Sequence, residues 1–143
     1  HLTKTIKIST MKKFALKTLA VVLFISTSLA SCNNDDGGET IMLKNSYLTS
    51  VEGPVTGTVN QKITLTTKYI AENGCGAFNQ FNELQNGTTK TIDVQVKYTG
   101  ANCGSTPTEI TTPYTFEVIE PGTYTFKFKK NASQFITHVV TIE

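Results

Sequence analysis

The chain has 143 residues, of which 38% are hydrophobic, with 13 lysines and arginines against 11 acids. Its formal net charge of +2 misrepresents the part after Cys32, because five lysines and no acids come before that residue. From Cys32 onward, eight lysines meet eleven acids, which gives a net charge of −3, and arginine is absent from the whole sequence. Because phosphate neutralisation needs clustered positive charge, we expect no nucleic-acid partner.

The segment before Cys32 has the layout of an export signal. Residues 1–10 precede Met11 and do not fit that layout, so they are interpreted as an upstream extension or a cloning remnant and set aside. From Met11, three lysines lead into an apolar run at 19–29, which is shorter than the roughly 20 residues that a membrane-spanning helix needs. Residues 11–31 are therefore predicted to be a signal peptide.

The sequence Leu29-Ala30-Ser31-Cys32 resembles the lipobox of bacterial lipoproteins. The resemblance implies cleavage before Cys32 and acyl chains on its sulfur, which would anchor the protein to the outer membrane on the cell surface or the periplasmic face. Residues 32–40 are acidic and Gly-containing, as in a flexible tether, and resemble the export signal of Bacteroidota surface lipoproteins. An uncleaved anchor and an ordinary secretory signal remain the alternatives.

Residues 41–143 carry strand patterns throughout. At 91–99, for example, apolar residues alternate with polar ones, which is typical of a strand with one buried face. Asn86-Gly87 indicates a hairpin between two such runs. The predicted strands are 41–50, 62–71, 78–84, 91–99, 114–119, 122–129 and 135–142.

This pattern predicts an all-β fold, a single Ig-like β-sandwich of about seven antiparallel strands, with a small β-barrel as the alternative. The segment Gly122–Phe128 resembles the penultimate strand of many bacterial Ig-like domains. The chain has no Trp, so the Cys…Trp…Cys signature of antibody domains is absent.

Cys75 and Cys103 lie in two Gly-rich segments of similar composition. In an exported protein an even pair of cysteines is best interpreted as a disulfide, here one that joins two loops at one end of the sandwich. A copper site that adds Met42 or His138 to the two thiols is the alternative. The spacing does not fit structural zinc, and we expect no metal and no cofactor.

No catalytic motif accompanies His138, which is the single histidine after Cys32. We therefore expect a non-catalytic binding or accessory module, with an envelope protein or a glycan as its partner. The candidate ligand-binding residues are Asn73, Phe78, Asn79 and Asn102, near the two cysteines. An inhibitor or immunity protein of the envelope is the next hypothesis, and a hydrolase comes after it.

Overall fold

The computed structural model describes residues 39–143; Cys32, the predicted signal and the tether up to residue 38 lie outside them. Nine strands make up the described part, which forms one compact unit. No helix among residues 39–143 is long and apolar enough to cross a membrane. The strands are β1 (Ile41–Ser46), β2 (Leu48–Glu52), β3 (Thr56–Gly57), β4 (Ile63–Ala71), β5 (Gly76–Asn86), β6 (Thr89–Thr99), β7 (Thr108–Phe116), β8 (Gly122–Lys129) and β9 (Phe135–Ile142).

The strands form two sheets that pack face to face. The small sheet has the order β2-β4-β7, and the large sheet has the order β1-β6-β8-β9-β3 with β5 on the other side of β6. One side of β6 pairs with β5 along its length, whereas its other side pairs with β8 at Thr89–Ile92 and with β1 at Val94–Thr99. Strand β6 is thus the centre of the large sheet.

The core lies between the sheets and follows from strict alternation in β4 and β6. Every second residue of β4, from Ile63 to Ala71, is buried, and so is every second residue of β6 from Ile92 to Tyr98. Because successive side chains of a strand point to opposite faces, the intervening residues form the outer faces. The buried apolar set is Leu48, Ile63, Leu65, Tyr69, Ala71, Ile92, Val94, Val96, Tyr98, Tyr114, Phe116, Phe126, Phe128, Val140 and Ile142.

The predicted β-sandwich is confirmed, and the structure adds detail that the pattern did not contain. There are nine strands rather than about seven, and two pairings, β6 with β8 and β3 with β9, are parallel. The strand predicted at 41–50 is divided at Tyr47, after which the chain moves from the large sheet to the small one. The strand predicted at 114–119 is instead β7, which ends at Phe116.

The two ends of the sandwich carry different loops. At the disulfide end, the segments 72–75 and 100–107 lie next to Thr40, whose carbonyl accepts a hydrogen bond from the Gly100 amide at 3.2 Å. At the hairpin end, Asn86 pairs with Thr89, and Gly87 takes the left-handed conformation with φ of 61°. Glycine adopts that conformation without a steric penalty, which is why this two-residue turn forms where the sequence predicts a hairpin.

Candidate functional site

The disulfide end is built around the bond between Cys75 and Cys103. Their Cα atoms are 5.2 Å apart, and the two residues are separated by 28 positions in the chain. The predicted disulfide is therefore confirmed, as is its position between two loops at one end of the sandwich. Because both sulfur atoms are joined to each other, neither is a thiolate ligand for the copper site considered as an alternative.

A groove of about 430 Å³ lies beside the disulfide. One wall is the start of β1, the other is the loop from Gly100 to Gly104, and Tyr98 lies between them. Lys44 Nζ lies 2.5 Å from Glu72 Oε2 and 5.9 Å from the centroid of the Tyr98 ring. The hydrogen bond to Glu72 raises the pKa of Lys44 above its ordinary value. The groove thus presents a cation and an anion side by side.

The structure brings together two of the four predicted ligand-binding residues. Asn73 and Asn102 both line the groove, and the Asn73 side-chain oxygen accepts a hydrogen bond from the Cys75 amide at 3.0 Å. Phe78 and Asn79 belong to strand β5 and are not among the residues that line the groove. The predicted face is therefore divided between a loop site and a strand.

Phe78 belongs to an aromatic contact between the two sheets. Its ring lies 4.9 Å from that of Phe81, which packs against the core and meets the edge of Tyr114 at 5.1 Å. Phe78 is 40% exposed. It lies at the side of the sandwich where β5 and β7 are the edge strands of the two sheets, and it partly covers the core there. Packing between the sheets accounts for these rings without a ligand.

A polar cluster at the same side was not foreseen from the sequence. The buried Tyr114 hydroxyl donates a hydrogen bond to Glu83 Oε1, and Lys90 Nζ lies 3.3 Å from Glu83 Oε2. Burial, followed by the hydrogen bond and the charge of Glu83, raises the pKa of Tyr114 well above its ordinary value. A tyrosine held in its neutral form is a structural hydrogen-bond donor rather than a nucleophile.

Asn79 lies on the outer face of the large sheet, where polar side chains form two neighbouring hydrogen-bonded groups, one of Asn79 with Gln95 and the other around Asn82. A bulge between Phe78 and Gln80 places Asn79 beside Gln95, to whose side-chain oxygen it donates at 2.7 Å. Asn82 is the hub: it donates to Asp93 at 2.7 Å and to Asn45 at 3.4 Å and accepts from Gln80 at 2.8 Å. We call Asn45, Asn79, Gln80, Asn82 and Gln95 the amide row.

Part of the amide row could have been predicted from the alternation of polar and apolar residues in β6. Gln95 and Asp93 occupy the polar positions between the buried residues of β6, and Asn82 pairs directly with Asp93 across the ladder. Once β5 and β6 are known to form a hairpin, these side chains must share one face. The sequence does not predict the contacts made from the other side of β6. There Asn45 accepts a hydrogen bond from Asn82, and Lys129 donates one to Asp93.

His138 is placed away from the disulfide. It pairs with Phe126 in the ladder between β8 and β9, and its Nε2 lies 2.9 Å from the Pro54 carbonyl oxygen. Within residues 39–143, no group of three His, Cys, Asp or Glu side chains is arranged to hold a metal ion. The histidine ties the loop before β3 to the edge of the large sheet.

A second groove, of about 500 Å³, lies at the hairpin end between Gly87-Thr88 and the segment 117–120. Ile119, which is 77% exposed, and Tyr124 contribute apolar surface, and Glu117 and Glu120 border it. This groove is open, and its apolar surface comes mainly from the separate side chains of Val118, Ile119 and Tyr124. Single exposed apolar residues of this kind are common on protein surfaces.

Comparison with protein-family models gives a match that covers more than half of the chain. Residues 65–141 match the family model described as "ORF11 beta-sandwich domain". The matched region runs from within β4 to within β9 and includes both cysteines of the disulfide. No curated protein and no solved structure matches the chain.

Proposed function

The chain belongs to the ORF11 β-sandwich domain family, and we propose that it is a non-catalytic binding or accessory module of the cell envelope. In this proposal a lipid on Cys32 anchors it to the outer membrane, and the groove at the disulfide end receives an envelope protein. The family match supports the sandwich on which such a module would be built. The anchor is inferred from the sequence around Cys32, and the partner from the position and the chemistry of the groove.

The position of Thr40 is the observation that carries the proposal. Thr40 lines the groove, and its carbonyl is bonded to the Gly100 amide of the opposite wall. Thr40 lies eight positions after Cys32, and eight residue steps of extended chain span at most about 29 Å. A lipid on Cys32 would therefore hold the groove close to the membrane surface, where a membrane protein is the nearest partner.

The chemistry of the groove suits a polar segment of a protein. Lys44 and Glu72 present opposite charges, and the Gly100–Gly104 loop presents backbone amides and carbonyls between two glycines with positive φ. Loops positioned by a rigid scaffold are the usual place for recognition, and the disulfide fixes both loops. An ion pair flanked by backbone groups can bind main-chain and charged side-chain groups of a partner.

The test is site-specific photocrosslinking of the full-length protein in living cells of its own source. A photoreactive residue replaces Ala101 in the groove, and a matched control carries it at Thr66, on the outer face of the small sheet. We expect one recurrent envelope protein to be captured from position 101, not from position 66. Replacing Cys32 with Ala should abolish that capture.

Three other results would contradict the proposal. Equal capture from positions 101 and 66 would exclude the groove as the binding site. Capture that persists without Cys32 would exclude the anchor as its cause. Recurrent capture of a secreted enzyme instead of a resident envelope protein would favour the inhibitor or immunity alternative.

A further inference from the structure

The outer face of the large sheet has a charge that differs from that of the domain. Lys97, Lys127 and Lys129 alternate with buried residues of β6 and β8, so all three point outward, together with a single acid, Asp93. The face therefore carries +2, whereas residues 39–143 have eight lysines and nine acids and a net charge of −1. A positive face on an acidic domain favours an anionic partner.

The acid on this face does not cancel the charge of Lys97 and Lys127, both of which are partly exposed. Asp93 has a side chain only 13% exposed and is held by Asn82 at 2.7 Å and by Lys129 at 3.3 Å. Lys97 and Lys127 form no ion pair within residues 39–143, and Lys127 lies 6.0 Å from the centroid of the exposed Phe135 ring. Two cations thus remain available to a ligand.

The amide row fixes hydrogen-bonding groups on a rigid surface between those cations. Each amide is oriented by a neighbour on the strands β1, β5 or β6, and each has further donor or acceptor capacity on the solvent side. Rows of outward side chains repeat every two residues, about 7 Å along a strand. Such a surface can bind a ligand that offers hydroxyl groups at regular intervals.

The arrangement of apolar residues is the reverse of that in a protein interface. Protein interfaces have an apolar centre and a polar rim. Here the centre is polar, and the exposed apolar residues lie around it: Leu43 on β1, Leu84 on β5, and Phe135 and Val139 on β9. A shallow depression of about 210 Å³ beside the hub is lined by Asn82, Leu84, Asp93 and Lys129 among others. We propose that this face binds an acidic polysaccharide.

In this complex the ligand's carboxylates lie against Lys97 and Lys127 and its hydroxyls against the amide row. The Phe135 ring offers an apolar surface to the C–H face of a sugar. The site is separate from the groove at the disulfide end and does not depend on the lipid anchor. A failure to bind polysaccharide at this face would therefore not contradict the proposed function of the groove. Likewise, a failure of the groove to capture a protein would not contradict polysaccharide binding here.

The test measures the affinity of the purified full-length protein, in a nonionic detergent, for oligomers of polygalacturonate by titration calorimetry. Dextran oligomers of equal length are the neutral control. We expect binding to polygalacturonate alone, and affinity that falls between about 20 mM and about 300 mM salt, because exposed charges are screened. The double variant Lys97→Gln, Lys127→Gln should lose about two- to twentyfold in affinity, as expected for two ion pairs at the protein surface.

The matched control is Lys62→Gln, Lys68→Gln, which removes the same charge at the small sheet and should leave the affinity unchanged. Asn82→Leu, which removes the hub of the amide row, should weaken binding with little effect on its salt dependence. Equal losses in the two lysine double variants, equal binding of dextran, or no binding at all would overturn the proposal. Binding to vesicles with about 30% phosphatidylglycerol but not to the glycan would overturn it in favour of a lipid surface.

Discussion

Tyr114 connects the two sheets at the side where both have edge strands. It is 2% exposed, and three aromatic rings of β5 and β8 lie within 6.0 Å of its own. Its hydroxyl reaches Glu83 on β5, which is held on its other oxygen by Lys90. A buried hydroxyl costs free energy unless it is hydrogen-bonded, so Glu83 compensates for burying a tyrosine here.

Replacing Tyr114 with Phe should lower the free energy of unfolding by about 1–2 kcal/mol. The lost bond is to a charged acceptor, which favours a larger effect, but Glu83 is partly exposed and water replaces the donor. The matched control is Tyr124→Phe, whose hydroxyl bonds the Glu120 carbonyl at the surface and whose loss should cost less than about 0.5 kcal/mol. Urea unfolding measures both, and equal losses would contradict the argument.

The raised pKa of Tyr114 also predicts how stability changes at alkaline pH. In the folded state the pKa lies above the ordinary value of 10.0, so the stabilisation is complete below pH 10 and is lost as the pH rises above it. The wild type should lose stability more steeply than Tyr114→Phe, by up to about 1.4 kcal/mol per pH unit. Unfolding curves between about pH 9 and 11 test this. Parallel slopes would exclude the predicted contribution.

At the scale of the elements, alternation predicted most strands but not their neighbours. The bounds predicted for 122–129 and 135–142 match β8 and β9. In β8 polar and apolar residues alternate from Thr123 to Lys129, whereas β9 is marked by its β-branched and aromatic residues, which favour strands. The strand predicted at 114–119 begins six residues earlier, as β7 at Thr108, and it contains Pro113, which an edge strand tolerates. The parallel pairing of β6 with β8 depends on contacts between distant segments, about which local periodicity contains no information.

The candidate site, like the fold, could be predicted only in part from the sequence. Two similar Cys-containing segments indicated a disulfide between loops, and the groove with Asn73 and Asn102 lies beside it. Lys44 and Glu72 were not predicted as part of it, because their meeting requires β1 to lie beside the end of β6. The same pairing brings Asn45 to the amide row.

The start of β5 packs so closely that it requires glycine at position 76. A Cβ on Gly76 would lie 2.6 Å from the Ala71 Cβ and 2.9 Å from the Tyr98 ring. Gly76→Ala should therefore cost about 1–3 kcal/mol through overpacking. Gly74→Ala is the matched control, because its Cβ would have its nearest neighbour 4.0 Å away, and its effect should be small. Thermal unfolding of the two variants should separate them; similar melting temperatures would show that the contact relaxes freely.

The disulfide stabilises the end of the sandwich that has the longest loops. Closing a loop between residues 28 positions apart contributes about 3–4 kcal/mol in the chain-entropy model. The double variant Cys75→Ser, Cys103→Ser should lose about that much free energy of unfolding in urea. Wild-type protein with a reductant should give the same value. A loss below about 1 kcal/mol would mean that strand pairing alone fixes these loops.

At the scale of the whole molecule, the two ends of the sandwich differ in their relation to the predicted anchor. Residue 40, through which the tether would enter, lies at the disulfide end, whereas the turn at Gly87-Thr88 lies at the opposite end. The two ends are separated by β6, whose 11 residues extend over about 33 Å. The outer face of the large sheet extends along β6, from the disulfide end to the hairpin end.

An anchored molecule should therefore keep its disulfide end nearer the bilayer. The tether limits Thr40 to about 29 Å from the lipidated residue, and the hairpin end can lie farther out by the length of β6. We expect a fluorophore on Ala101→Cys to transfer energy to a headgroup acceptor more efficiently than one on Thr88→Cys, in full-length protein on vesicles. Equal efficiencies would show that the domain turns freely on its tether, and the reverse order would place the groove away from the membrane and from a partner within it.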